Sequence, residues 1–215
     1  MKTTIYIVRH GQSLGNAKSC FLGHTDLDLS ELGYAQANMT AEELSSVHFD
    51  KIYSSDLIRA YNTAVPNAKI RNMEIIPNAN LREIYVGEWE GMHADDIKSK
   101  YGDMFTLGWR AGYGTFTPPG GEPVLEAGRR FYNEVLRIAE ENMGKTVLIT
   151  SHASVIRTFY ALTLGVKPEN IAEEVPFPSN ASYSIFEYKN KKFTTISYSN
   201  DKHMGEFVTY IKDKE

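Results

Sequence analysis

Near the start of the chain the run TTIYIVR packs apolar β-branched and aromatic residues densely enough for a buried strand, and the later SELGYAQANMTAEELSS spaces its apolar positions at helical intervals. The pair then repeats. FDKIYSS reads as a strand and DLIRAYNTAVPNA as a helix, with the short apolar MEIIPN behind them. From Leu81 to Gly121 no period holds, and an irregular region rich in glycine and aromatic residues is expected. Helical spacing returns in EPVLEAGRRFYNEVLRIAEENM, KTVLITS reads as a fully buried strand, and ASVIRTFYALTLG as the helix after it. The end, ASYSIFEYKNKKFTTISY, is two alternating runs around a Lys/Asn turn, hence a hairpin at a sheet edge. The alternation of strand and helix predicts an α/β fold. Without a repeat or linker, residues 1–215 read as a single domain.

Composition narrows the function classes. The 42% hydrophobic content suffices for one real core in 215 residues, and no stretch approaches the roughly 18 apolar residues of a membrane span. A net charge of −4 with scattered lysines supplies no basic stripe for nucleic acid and no cationic amphipathic helix for a membrane. Cys20 is the one cysteine, so an intramolecular disulfide is ruled out and a reducing, cytoplasmic location is expected. His24, His48, His93 and His203 show no metal-ligand spacing; no metal and no cofactor is expected, and His48 reads as a surface residue.

Three strand-to-helix junctions carry unusual chemistry: VRHG, YSSDLIRA and ITSHASVIR each set a cationic or imidazole group at or just beyond a strand's carboxyl end. In a parallel sheet these ends lie together, so Arg9, His10, Arg59 and His152 can converge on one crevice. Ser54 or Ser55 is a candidate N-cap, with Asp56 in the first turn and Arg59 about one turn in. His152 would stand at its helix start. Two arginines and two histidines around a point describe an anion site, with phosphate the natural guest. A neutral imidazole is a competent nucleophile, neighbouring cations keep it neutral, and Gly11 would let backbone approach the ligand.

The blocks VRHGQSLGNA, GHTDLDLSELGYAQA, YSSDLIRAYNTA, LREIYVGEWEG, PPGGEP, VLITSHASVIR and NASYSIFEY resemble, in order, those of the histidine phosphatase superfamily, the phosphoglycerate mutase-like proteins. The resemblance implies a three-layer sandwich whose mostly parallel central sheet has helices on both faces. It further implies that His10 is the phosphorylated nucleophile, that Arg9, Arg59 and His152 hold the phosphoryl group, and that Glu83 is the proton donor. Asn16, Gly23 and Arg110 join as phosphate or substrate contacts. Of the three glutamates in LREIYVGEWEG only the family pattern selects Glu83; on the residues alone, Glu83, Glu88 and Glu90 would be a solvated loop.

The family contains hydrolases and mutases, and a cap at about residues 91–121 is expected to set the substrate. Mutases carry a lysine three residues after the glycine of E-G-L-N-K and an arginine pair after a tryptophan. Here EGMHADD has Ala94 at the lysine, and WRAGYG has Ala111 at the second arginine. Arg110 alone remains, among Phe105, Trp109, Tyr113 and Phe116, with Phe21 earlier, an aromatic set that could line a pocket or belong to the core. Pro123 stands where many relatives place serine, which puts that helix cap in question. The expectation is a phosphomonoester hydrolase acting on a small phosphorylated substrate; the alternatives are mutase-type transfer and a weakly active phospho-ligand binding module. Sugar phosphates, nucleotide phosphates, phosphoglycerate and a cobalamin-precursor phosphate all stay open as substrates. Nucleic acid and membrane are not expected partners, and a homodimer is left open.

Overall fold

A computed structural model describes residues 1–210. The chain runs β1 (Thr3–Arg9), a single-turn α1 (Leu14–Ala17), α2 (Glu31–Glu43), β2 (Lys51–Ser54), α3 (Ile58–Arg71) and β3 (Ile75–Pro77). After them come α4 (Ala94–Tyr101), a π-helical segment (Met104–Ala111), α5 (Val124–Glu141), β4 (Thr146–Ser151), α6 (Ala153–Leu164), the short α7 (Ile171–Glu174), β5 (Tyr183–Lys189) and β6 (Lys192–Asn200). The six strands form one sheet in the order β3-β2-β4-β1-β5-β6. Its first four members are parallel and the last two antiparallel.

Strand periodicity separates two cores. Ile5, Ile7, Tyr53, Val147 and Ile149 point into a large cluster with Phe131, Val135, Val155 and Phe159 of α5 and α6. Val8, Ile52 and Leu148 point the other way, against Ala64 and Ala68 of α3. The expected three-layer sandwich follows directly. The hairpin turns at Asn190 and Lys191, both at positive φ (53° and 61°), the conformation that a tight two-residue turn between twisted strands requires. Among the described residues no helix is long and apolar enough to cross a membrane.

One expectation changes. The stretch from Leu81 to Gly121 is not uniformly irregular, since it holds α4 and the π-helical segment. Local signals account for α4: His93 accepts from the Asp95 amide as N-cap, Asp95 and Asp96 occupy the first turn, and Lys98 and Lys100 the last, each complementing the helix dipole. In the π-helical segment the Gly112 amide reaches five residues back to the Leu107 carbonyl. Pro123 is indeed the N-cap of α5 and makes no side-chain capping bond.

Candidate active site

The register of the sheet aligns the junctions. Arg9 pairs with Ser151 and Ser54 with Thr150, so β1, β4 and β2 end level, with β4 between the other two. One residue further on, the His10 amide donates to the Ser151 carbonyl (2.8 Å) and the Ser55 amide to that of Thr150 (2.9 Å). His10, Ser55 and His152 therefore emerge side by side. The two imidazole rings lie 5.1 Å apart.

His10 is 4% exposed. Its Nδ1 sits 2.7 Å from the Gly11 carbonyl, which can only accept, so Nδ1 carries the proton and the Nε2 lone pair is left for chemistry. Burial first, then the charges of Arg59 and Arg9, hold its pKa well below 6.5. His152, fully buried, is shifted in the same direction by burial and by Arg59, His10 and His24. Both rings are thus neutral at pH 7.

The two arginines are buried, not snorkelling: each is 1% exposed. Arg59 donates to the carbonyls of Gly23 (2.7 Å) and Thr25 (2.9 Å), and Arg9 to that of Pro178 (2.7 Å). Desolvation lowers the Arg59 pKa to about 10, which still leaves a full charge at neutral pH. Gly23 adopts a left-handed φ of 49°, turning its carbonyl onto Arg59 where a side chain would meet the Glu90 carboxylate. Gly11 also meets a requirement of the fold. A Cβ there would lie 2.4 Å from the Gly33 carbonyl, so its smallness admits the backbone of α2.

The expected cap of α3 is also corrected. Leu57 is the N-cap residue and Ile58 the first of the helix, so Arg59 sits in its first turn, and the Ile58 amide is received by Asp26, which arrives from the Gly23 loop (2.7 Å). Asp56 instead forks with Arg82. Ser55 turns its hydroxyl to His152, as taken up below.

Glu83 separates from its two neighbours. Its carboxylate accepts from the Ser154 and Val155 amides, 3.2 and 3.3 Å, at the start of the helix that His152 caps. Glu90 is consumed in pinning the Gly23 loop through the amides of His24, Thr25 and Val86, and Glu88 accepts from Tyr101 at the surface. Asn16 caps reciprocally with Ser13, and its Oδ1 also accepts from Asn180, so its Nδ2 hydrogens are what it can offer an anion. Arg110 lies on the π-helical segment, with its guanidinium 5.3 Å from the centroid of Phe105.

The aromatic set is mainly core. Phe105, Trp109 and Tyr113 are buried, and with Phe21, Trp89 and Phe116 they pack ring on ring at centroid distances of 5.2 to 6.2 Å.

Sequence reasoning passed over three contributors. Asn180 donates to the His10 carbonyl (3.1 Å) and to Asn16, so it ties both to the loop before β5. His24 donates from Nε2 to the Glu83 carbonyl (2.8 Å), and Thr63 receives the Gly11 amide (3.0 Å). No local pattern announces any of them, because their partners stand 52 to 170 positions away. Among the described residues no cluster of His, Cys, Asp and Glu could hold a metal ion.

The buried histidines make an acid-stability signature. An unfolded chain takes up protons as pH falls through 6.5, whereas the native rings resist them; stability is full above 6.5 and falls on acidification below it. Each contributes at most about 1.4 kcal/mol per pH unit, and His203, shifted the same way by burial, adds to the slope. The carboxylates held low, Asp28, Asp56 and Glu134, act only further into acid. Chemical denaturation from neutral pH to about one unit below 6.5 should show the loss, and His152→Gln should reduce it.

Comparison with known proteins follows the same lines. The family model described as the histidine phosphatase superfamily, branch 1, matches residues 5–201. Phosphoserine phosphatase 1 of Hydrogenobacter thermophilus is 32% identical over 94% of this chain and 95% of its own. A 2,3-bisphosphoglycerate-dependent phosphoglycerate mutase of Bartonella tribocorum is also 32% identical, over 81% of this chain and 87% of its own. Among solved structures, a mycobacterial glucosyl-3-phosphoglycerate phosphatase complexed with VO3 superposes with a TM-score of 0.84 at 27% identity, covering 92% of this chain and 99% of that one.

Proposed function

This chain belongs to the histidine phosphatase superfamily, and from that membership we propose that it hydrolyses phosphomonoesters of small metabolites through a phosphohistidine at His10. The observation that carries the assignment is the bond from His10 Nδ1 to the Gly11 carbonyl, which leaves a neutral, buried imidazole with its Nε2 lone pair between two arginine charges. In this reading Nε2 attacks phosphorus, the P–O ester bond breaks, and Glu83 delivers a proton to the departing oxygen. Water then attacks the phosphohistidine, Glu83 takes a proton from it, and phosphate leaves as His10 recovers its lone pair. Arg9 and Arg59 neutralise the phosphoryl oxygens throughout, His152 donates to them, and Asn16 supplies a further donor. Gly23 acts through Arg59, while Arg110 and the cap at residues 91–121 reach the remainder of the substrate.

Relatives at equal identity include a phosphatase and mutases, so overall similarity does not choose between them. The hydrolase reading is favoured by Ala94, first residue of α4, and Ala111, last of the π-helical segment, where mutases carry Lys and Arg. A mutase must hold its dephosphorylated intermediate for rephosphorylation; without those cations the intermediate escapes and water takes the phosphoryl group. The expected result is steady release of inorganic phosphate from a panel of phosphorylated metabolites without a bisphosphoglycerate primer. Primer-dependent isomerisation of phosphoglycerates outrunning phosphate release would reverse the assignment. Because the aromatic rings are packed on one another, the panel should weight polar substrates, phosphoserine and phosphorylated sugars among them, as fully as aromatic ones. The reading also places the enzyme in the cytoplasm, on the strength of its single cysteine.

Glu83→Gln tests the acid. An amide keeps the hydrogen-bonding oxygen but delivers no proton, so the loss should follow the leaving group: large for an alkyl phosphate and small for p-nitrophenyl phosphate, whose phenolate departs unaided. Equal losses on both substrates would remove Glu83 from the role.

A further inference from the structure

Two neutral, buried histidines stand side by side, and something must decide which of them attacks. We propose that Ser55 is the positioning residue that does so, by occupying the Nε2 lone pair of His152 and fixing that ring with its proton on Nδ1. The proposal rests on the phosphohistidine reading above and assigns within it a role to a residue outside the reacting set.

Ser55 is fully buried at the end of β2. Its oxygen accepts from the Leu57 amide (3.3 Å) and lies 2.8 Å from His152 Nε2. A serine hydroxyl has one hydrogen to give, and among the described residues Nε2 is the one acceptor within reach of it. The neighbouring hydroxyl, Ser54, is spent on the Ser55 carbonyl (2.6 Å). Ser55 therefore donates, and Nε2 accepts. A neutral imidazole with an unprotonated Nε2 carries its proton on Nδ1, and His152 Nδ1 is buried with no hydrogen-bond partner among the described residues. A buried N–H in that condition is costly, and its natural acceptor is a phosphoryl oxygen carried on the adjacent His10 ring.

The two rings thus end in the same tautomer for opposite purposes. In His10 the Gly11 carbonyl takes the Nδ1 proton and leaves Nε2 to attack. In His152 Ser55 covers Nε2 and leaves Nδ1–H to donate. A donor that is neutral before and after the reaction stabilises the oxygens without competing for phosphorus.

The test reads the tautomer directly. In protein labelled with 15N-histidine, at slightly alkaline pH, two-bond proton–nitrogen correlations report which ring nitrogen bears hydrogen, and the His152 set is identified by its disappearance in His152→Gln. The expected pattern is a protonated Nδ1 and a bare Nε2. The reverse pattern overturns the proposal, whatever ester the enzyme hydrolyses, because the resting protein is observed. Ser55→Ala should abolish the tautomer preference and lower kcat on the order of tenfold, the rate equivalent of one lost hydrogen bond, with KM little changed. Ser55→Thr, which keeps the hydroxyl, should restore both. Unaltered ring signals and unaltered kcat in Ser55→Ala would equally overturn the assignment.

Discussion

His10→Ala is expected to remove turnover on the order of ten-thousandfold or more while the protein stays folded, since loss of a nucleophile that acts as a unit with its neighbours is among the largest effects a single substitution produces. The backbone there does not depend on the side chain. The His10 amide donates to Ser151, and the carbonyl receives the Ala181 amide and Asn180 Nδ2. Removing the imidazole deletes one bond, to the neighbouring carbonyl, and relieves two arginines of a buried polar ring. Circular dichroism and a denaturation midpoint near the parent's should accompany the inactive variant. Turnover at parental rates would end the nucleophile assignment.

Arg59→Ala should lose a hundredfold or more, because one preorganised clamp on the developing phosphoryl charge is typically worth about 3 kcal/mol. The variant also strips the carbonyls of Gly23 and Thr25 of their donor, and these carbonyls hold the loop whose Asp26 caps α3. A stability loss is therefore expected together with the catalytic one. Arg59→Lys separates them: it keeps the charge but cannot fork between two carbonyls and a phosphate, so it should recover part of the rate and less of the stability. Inhibition by inorganic phosphate and by vanadate should weaken in both variants. If neither turnover nor inhibition changes, Arg59 does not serve the phosphate.

What could be read in advance was what the sheet imposes. The β-branched and aromatic run TTIYIVR and the apolar run of KTVLITS located β1 and β4, and their adjacency alone brings Arg9, His10 and His152 together. Arg59 was found for a related reason, since it follows the third parallel strand of the same group. Where the reading erred, the controlling contact was distant. A serine before a helix is an ordinary cap, yet Asp26 caps α3 from another loop and frees Ser55 for His152. Gly11 beside a nucleophile suggested room for a ligand, and the Gly33 carbonyl adds a demand for glycine that no local pattern announces. Between Gly91 and Gly121 the aromatic rings were ambiguous between pocket and core because a buried ring and a ligand-facing ring leave the same mark in sequence; the packing of Trp89 against Phe21, Phe105, Trp109 and Phe116 decides for the core. Glu83 was separable from Glu88 and Glu90 by family resemblance alone, and geometry supplies a reason, because of the three it is the one at the start of the His152 helix.

The most direct test of the whole scheme is to trap the covalent intermediate. Rapid quenching of the enzyme with a 32P-labelled phosphomonoester, without acid, followed by digestion and mass spectrometry at alkaline pH, should find the label on the peptide containing His10. The bond should be stable to base and labile to acid, and the phosphoryl group should sit on Nε2, since Nδ1 is held by the Gly11 carbonyl. An enzyme that turns over with no trappable phosphohistidine, or that carries its label on His152 or on a hydroxyl, would contradict the account at its centre.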